Sequence, residues 1–259
     1  MGFTAVILYR EECQMNVDVY LNRIPEGEVF DRSYINGIIE ESGKTTSVNI
    51  LNYTIEKLIK SGLIIRIGRN KYKKADGKKC YTYDYSELSM KIAECLVKEH
   101  PYMDFRIFEI IQLNKFINHQ IAHNTVFVSV EDGLEEYVFS TLRAKYTGNL
   151  MVNPNIDDFY RYRIEDMIVI NKLPTESLKG KTCFWNTRLE KILVDIVTDK
   201  LMISMIPESE YSNIYEDAFG KYVIEYSALK RYANRRGALE KLRNAIKEYT
   251  DINPEDIGI

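Results

Sequence analysis

Lys44, Thr45, Thr46, Ser47, Asn49, Asn52 and Tyr53 crowd short hydrogen-bonding and cationic side chains into one stretch. On a helix, such groups can meet base edges and phosphates. At about 100° per residue, Thr46, Asn49, Tyr53, Lys57 and Lys60 share one face, and Val48, Leu51, Ile55, Leu58 and Ile59 share the opposite one. That division suits a recognition helix in a major groove. Arg66, Arg69, Lys71 and Lys73 follow on a strand-turn-strand pattern and would supply charge along phosphates. From Lys44 to Lys79 there are ten Lys/Arg against two acids, Glu56 and Asp76, in a chain of net charge −3. Positive charge is therefore segregated, so the acidic balance of the whole does not exclude nucleic acid.

Three other chemistries can be tested against the residues. Glu190, Lys191, Asp195, Asp199 and Lys200 offer the carboxylates and lysines of a metal-dependent nuclease. In LEKILVD, however, acid and lysine are adjacent. Leu189, Ile192, Leu193, Ile196 and Val197 make the buried stripe of one helix, which puts Lys191, Asp195 and Asp199 on its solvated face. Metal-binding carboxylates must converge on one point instead. His119 and His123 have the spacing of one helical turn, yet no third ligand stands at a telling distance. Gly43-Lys44-Thr45 echoes the end of a phosphate-binding loop, but Gly37 to Gly43 leaves five intervening residues where that loop needs four. The expectation is no catalytic residue, no metal and no cofactor.

The stretch Leu189 to Asp195, LEKILVD, and Ile214 to Leu242, IYEDAFGKYVIEYSALKRYANRRGALEKL, resembles the C-terminal domain of AbiEi-type antitoxins. The resemblance implies a transcriptional repressor of its own toxin-antitoxin operon, of the type IV kind found in abortive infection of phage-challenged bacteria. Its nucleotidyltransferase-like toxin would be countered without a stable complex. It also implies a division of labour between a DNA-binding N-terminal half and an antitoxic C-terminal half. A metal-dependent nuclease, and a lone regulator or protein-interaction module, are the alternatives. In the tail, Leu229, Tyr232 and Ala233, then Leu239, Leu242 and Ala245, pattern two amphipathic helices parted at Gly237. Lys230, Arg231, Arg235, Arg236, Lys241 and Arg243 would form a second basic surface on them.

The elements that must hold these residues can also be read. Gln14 to Arg23 patterns a first helix, and Phe30, Asp31 and Ile35 have the spacing of a hydrophobic staple around an N-cap, with Gly43 at that second helix's end. Gly62 stops the recognition helix, Leu63 to Ile67 form a strand, Gly68 to Asn70 turn, and Lys71 to Lys74 return. This predicts a winged helix-turn-helix over residues 1–80, bounded by the polar ADGKKC and an aromatic run, YTYDY, that could join either core. Residues 81–259 predict a mixed α/β domain with a helical tail. There Leu88, Ile92, Cys95 and Leu96 mark a helix, MDFRIFEI alternates like a strand, TVFVSV precedes the helix EEYVFSTLRAKY, and MIVI is another apolar run. The fold class is α+β or α/β.

With 259 residues, 45% of them hydrophobic, the chain can bury sizeable cores. Cys13, Cys80, Cys95 and Cys183 lack metal or disulfide spacing, and no apolar run reaches membrane-spanning length. The expected setting is the cytoplasm, with double-stranded DNA of its own promoter as partner and no membrane.

Overall fold

The computed structural model describes residues 23–41, 47–75, 77–146 and 148–259. The patterned helix before Arg23, and Gly43, lie outside them. The chain divides into two compact units between Cys80 and Tyr81, with residues 225–227 grouping with the first. Helices and sheets are mixed, giving an α+β protein.

In the first unit, strand β1 (Val29–Phe30) leads into helix α1 (Arg32–Glu41), α2 (Val48–Lys60) and a hairpin of β2 (Ile64–Gly68) and β3 (Lys71–Lys74). Asp31 caps α1: its Oδ1 accepts from Tyr34 N at 3.1 Å and from the Ser33 hydroxyl. These bonds hold its carboxyl below the usual carboxylate range. Phe30 and Ile35 flank the cap and belong to one buried cluster with Ile38, Ile39, Ile55, Leu58, Ile64 and Tyr72. Full burial of such side chains contributes roughly 1.5–3 kcal/mol each, offset by chain entropy.

Ser47 caps α2 by accepting from Ile50 N at 3.3 Å. The helix ends where Gly62 takes φ +72, with Gly62 N donating to Ile59 O and Leu63 N to Leu58 O. That pair of bonds satisfies two terminal carbonyls and redirects the chain into β2. β2 and β3 pair antiparallel, with a register shift between Arg66 and Gly68 and Asn70 at φ 57 in the turn. β1 pairs with the other edge of β3, setting Phe30 opposite Tyr72. With only two residues, β1 gives too short an alternation to be read in the sequence.

In the second unit, α3 (Glu87–Glu99) is followed by β4 (Phe105–Glu109), a 3₁₀ turn (Ile110–Lys115) and β5 (Thr125–Val130). Then come α4 (Glu135–Arg143), β6 (Leu150–Val152), α5 (Ile156–Tyr162) and β7 (Met167–Lys172). The sheet order is β4-β5-β7-β6: β4 is antiparallel to β5, whereas β7 is parallel to both β5 and β6. Ile107, Val126, Val128, Ile168 and Ile170 of this sheet join Ile92, Leu96, Val138 and Leu142 of α3 and α4 in one core. The YTYDY run goes with this unit, since the Tyr81, Tyr83 and Tyr85 hydroxyls donate to Gln112, Glu109 and the Ile107 carbonyl.

The alternation read in MDFRIFEI does not mean a wet face. Every residue of β4 is buried, including Arg106 and Glu109. Arg106 survives there by donating to Asp104, the Phe105 carbonyl and the carbonyls of Ser177 and Leu178. Glu109 accepts from Tyr83, Ser86 N and the Ser86 hydroxyl. Charged groups inside a protein persist only with such pairing.

The tail is helical: α6 (Leu189–Asp195), α7 (Lys200–Met205), α8 (Tyr211–Lys221), α9 (Tyr226–Arg235) and α10 (Leu239–Tyr249). Gly237, at φ +61, parts the last two. Among the described residues, no helix is long and apolar enough to cross a membrane.

Candidate nucleic-acid interface

The first half of α2 faces solvent. Ser47, Asn49 and Asn52 are exposed, and Tyr53 is 66% exposed. Lys57 is half-buried one turn later. Lys44, Thr45 and Thr46, and the side chain of Lys60, lie outside what the structure describes. Asn52 is not idle, because Arg32 at the start of α1 donates to its Oδ1 through Nη2. The Arg32 backbone N–H in turn donates to Asn70 Oδ1 at 3.2 Å, so one residue joins α1 to α2 and to the hairpin turn. Nothing in the spacing of Arg32 announces this role.

The apolar face of α2 departs from its expected membership. Leu51, Ile55, Leu58 and Ile59 turn inward, but Val48 is 72% exposed, and Ile50 is 44% exposed beside it. The reason is geometric: among the described residues, the cluster formed with α1 and the hairpin takes its α2 members from Leu51 onward and none from the first turn.

On the hairpin, Arg69 and Lys71 are exposed at the turn, and Lys73 is half-buried. Arg66 is held within the hairpin, its guanidinium 5.4 Å from the Tyr72 ring centroid and its Nη2 donating to the Tyr72 hydroxyl at 3.1 Å. Lys74 pairs with Glu26 at 2.9 Å. The cations reaching furthest into water are thus those of the turn. They line a hollow with Phe30, Asp31 and Tyr34.

Of the six cations of the second basic surface, three are ion-paired. Lys230 Nζ donates to the Gly258 carbonyl, Arg235 pairs with Glu176, Arg236 with Asp195 and Thr198, and Arg243 with Glu240. Arg231 and Lys241 stay exposed. Sequence spacing put these cations on one outer face. The acceptors of Lys230, Arg235 and Arg236 come from other segments, whereas Glu240 lies on the same helix as Arg243.

The carboxylate-lysine constellation is overturned as a solvated face. Lys191 and Asp195 are 3% and 4% exposed and form a buried ion pair. The Tyr232 hydroxyl donates to Asp195 Oδ1 at 2.9 Å, with Lys191 Nζ over the same ring. Burial, reinforced by the Asp195 charge, pushes the Tyr232 hydroxyl far above its ordinary pKa. Glu190 is paired with Arg188. Asp199 is not on this helix: the helix ends at Asp195, and Asp199 caps α7 by accepting from Leu201 and Met202 N. The groups therefore do not converge on an open point.

The histidine pair is likewise corrected, because His119 and His123 lie on the loop between the 3₁₀ turn and β5, not on a helix. His119 instead meets Glu210, which also accepts from Asn118 N and Asn213. Those bonds, the one from His119 foremost, lower the Glu210 pKa to about 2. Among the described residues, no three His, Cys, Asp or Glu side chains gather as a metal site. Among the described residues, Cys80, Cys95 and Cys183 form no disulfide.

Fold and surface together define a mixed α+β protein of two units whose first unit presents a half-exposed helix beside a basic hairpin turn. Residues 50–252 match the model of DUF6577, a family of unknown function, and the chain belongs to that family. No curated protein matches it. Among solved structures it is similar to the crystal structure of the Rv2827c protein from Mycobacterium tuberculosis, at 9% identity and a TM-score of 0.31, over 91% of this chain and 80% of that one. A likeness of that strength supports no functional argument.

Proposed function

We propose that the first unit is a winged helix-turn-helix that binds double-stranded DNA of its own promoter and represses transcription. The observation carrying this reading is the placement of exposed Asn49 and Tyr53 on α2 together with exposed Arg69 and Lys71 at the hairpin turn. A helix half free of protein contacts can enter a major groove, and cations beside it can hold the flanking phosphates. In this reading α1 crosses the backbone, α2 reads bases and the β2–β3 hairpin is the wing.

The second unit then carries antitoxicity toward a nucleotidyltransferase-like toxin, in the cytoplasm and without catalysis of its own. This part rests on the resemblance of residues 189–195 and 214–242 to AbiEi-type antitoxins. The test has two arms. Purified protein should shift a fragment of the DNA upstream of its own gene in preference to unrelated DNA of equal length. Expression of the full chain should rescue cells from the product of the adjacent reading frame. Equal binding to both DNAs defeats the repressor reading, and failure to rescue defeats the antitoxin reading.

A further inference from the structure

We infer that the exposed apolar end of α2 reads thymine: Val48 and Ile50 contact thymine C5-methyl groups in the major groove of the target DNA. The inference rests on the DNA-binding reading above and adds which bases that site selects.

Val48 and Ile50 are 72% and 44% exposed, although both are large, apolar and β-branched. Each lies within a helical turn of the cap residue Ser47, where a recognition helix penetrates deepest. Along α2 they flank Asn49, roughly 100° to either side of it around the helix, within the segment Lys44 to Lys79 that holds ten Lys/Arg against two acids, Glu56 and Asp76. Exposed apolar side chains in a segment of positive excess suit an occupant that is anionic at its edges and carries small apolar groups between them. Duplex DNA meets both requirements at thymine, whose methyl is the one apolar group on the major-groove edges of the bases. β-Branched side chains serve well there, because their χ1 is nearly fixed in a helix and little rotamer freedom is sacrificed on binding.

The experiment uses the full chain and one probe prepared in two forms. The fragment upstream of its own gene is amplified with either thymidine or deoxyuridine triphosphate, so that the two duplexes differ only in the thymine methyls. Binding to the uracil form should weaken by about fourfold for each methyl that Val48 or Ile50 would otherwise cover. Val48→Ala with Ile50→Ala should weaken binding to the thymine form and bring the two affinities together. Both side chains are exposed, and an unchanged far-ultraviolet spectrum confirms that the variant is folded. If the wild type binds the thymine and uracil forms equally, the thymine reading is overturned while DNA binding stands. Persistence of the preference in the double variant overturns the assignment to these residues. Absence of binding to either form overturns the DNA-binding reading and this inference with it. Loss of self-association in the variant, with DNA affinity unchanged, makes the tip a contact between copies of the chain and overturns the inference.

Discussion

The Tyr232 hydroxyl donates to the Asp195 carboxylate at 2.9 Å, where the same carboxylate is ion-paired with Lys191. This bond ties α9 to α6 through polar groups sealed inside the second unit. Removing the donor leaves a buried acceptor less well satisfied, so Tyr232→Phe should cost about 1–3 kcal/mol of unfolding free energy. Asp195→Asn leaves the Lys191 ammonium buried without its counter-charge and should cost more, about 3–5 kcal/mol. Denaturant unfolding measures both, and a loss near zero for Asp195→Asn would contradict the buried pair.

The same burial predicts the outcome of a cleavage assay. Both oxygens of Asp195 already have partners, Tyr232 and Arg236 on Oδ1 and Lys191 on Oδ2. Plasmid DNA incubated with the wild type and Mg²⁺ or Mn²⁺ should stay uncut. Metal-dependent nicking that disappears in Asp195→Asn would make the protein a nuclease.

If the first unit binds DNA as proposed, counter-ion release makes its affinity fall steeply with salt. Each phosphate left without its cation lowers the slope of log affinity against log salt by about one. Arg69→Ala and Lys71→Ala should each do so and weaken operator and random DNA alike. A variant that changes specificity at constant slope would mean that the hairpin, rather than α2, reads the bases.

Asn49→Ala should act in the opposite sense. Removing a hydrogen bond to a base costs about 1–3 kcal/mol on the cognate sequence and little on random DNA. Competition binding against an unrelated duplex reads the difference directly. Equal weakening on both duplexes would place Asn49 on the phosphates.

Acid should weaken the second unit through Glu210, whose pKa is lowered from 4.5 to about 2 chiefly by its bond with His119. A depressed carboxyl contributes stability that is fully present above the unfolded pKa and is lost as pH falls toward the folded one. The contribution should therefore fade between about pH 4.5 and 2. Glu210→Gln should be less stable than the wild type near neutrality, and its stability should depend less on pH in that window. Parallel pH profiles for the two proteins would remove Glu210 from the account.

Local chemistry made much of the first unit legible. Phe30, Asp31 and Ile35 mark the start of α1, Gly62 ends α2, and Lys71 to Lys74 bound the return strand, because caps, staples and turns act over a few residues. In the second unit, the apolar runs at Thr125–Val130 and Met167–Lys172 are the two central strands of the sheet, β5 and β7.

Tertiary structure decided the rest, at the residues where a second surface closes over an element. Periodicity ranks the faces of a helix by polarity, but whether the polar face meets water depends on which distant segment packs there. α6 is buried along its whole length, so Lys191 and Asp195 became an internal pair once Tyr232 arrived from α9. β4 is covered on both faces, which turned Arg106 inward onto the carbonyls of Ser177 and Leu178. Val48 shows the converse: its type and position placed it in a core that stops one turn short of it. The sequence alone determined what each segment could become. Packing between residues far apart in the chain settled which charges were desolvated and which apolar groups stayed wet, since desolvation depends on everything packed around a group and not on its neighbours in sequence.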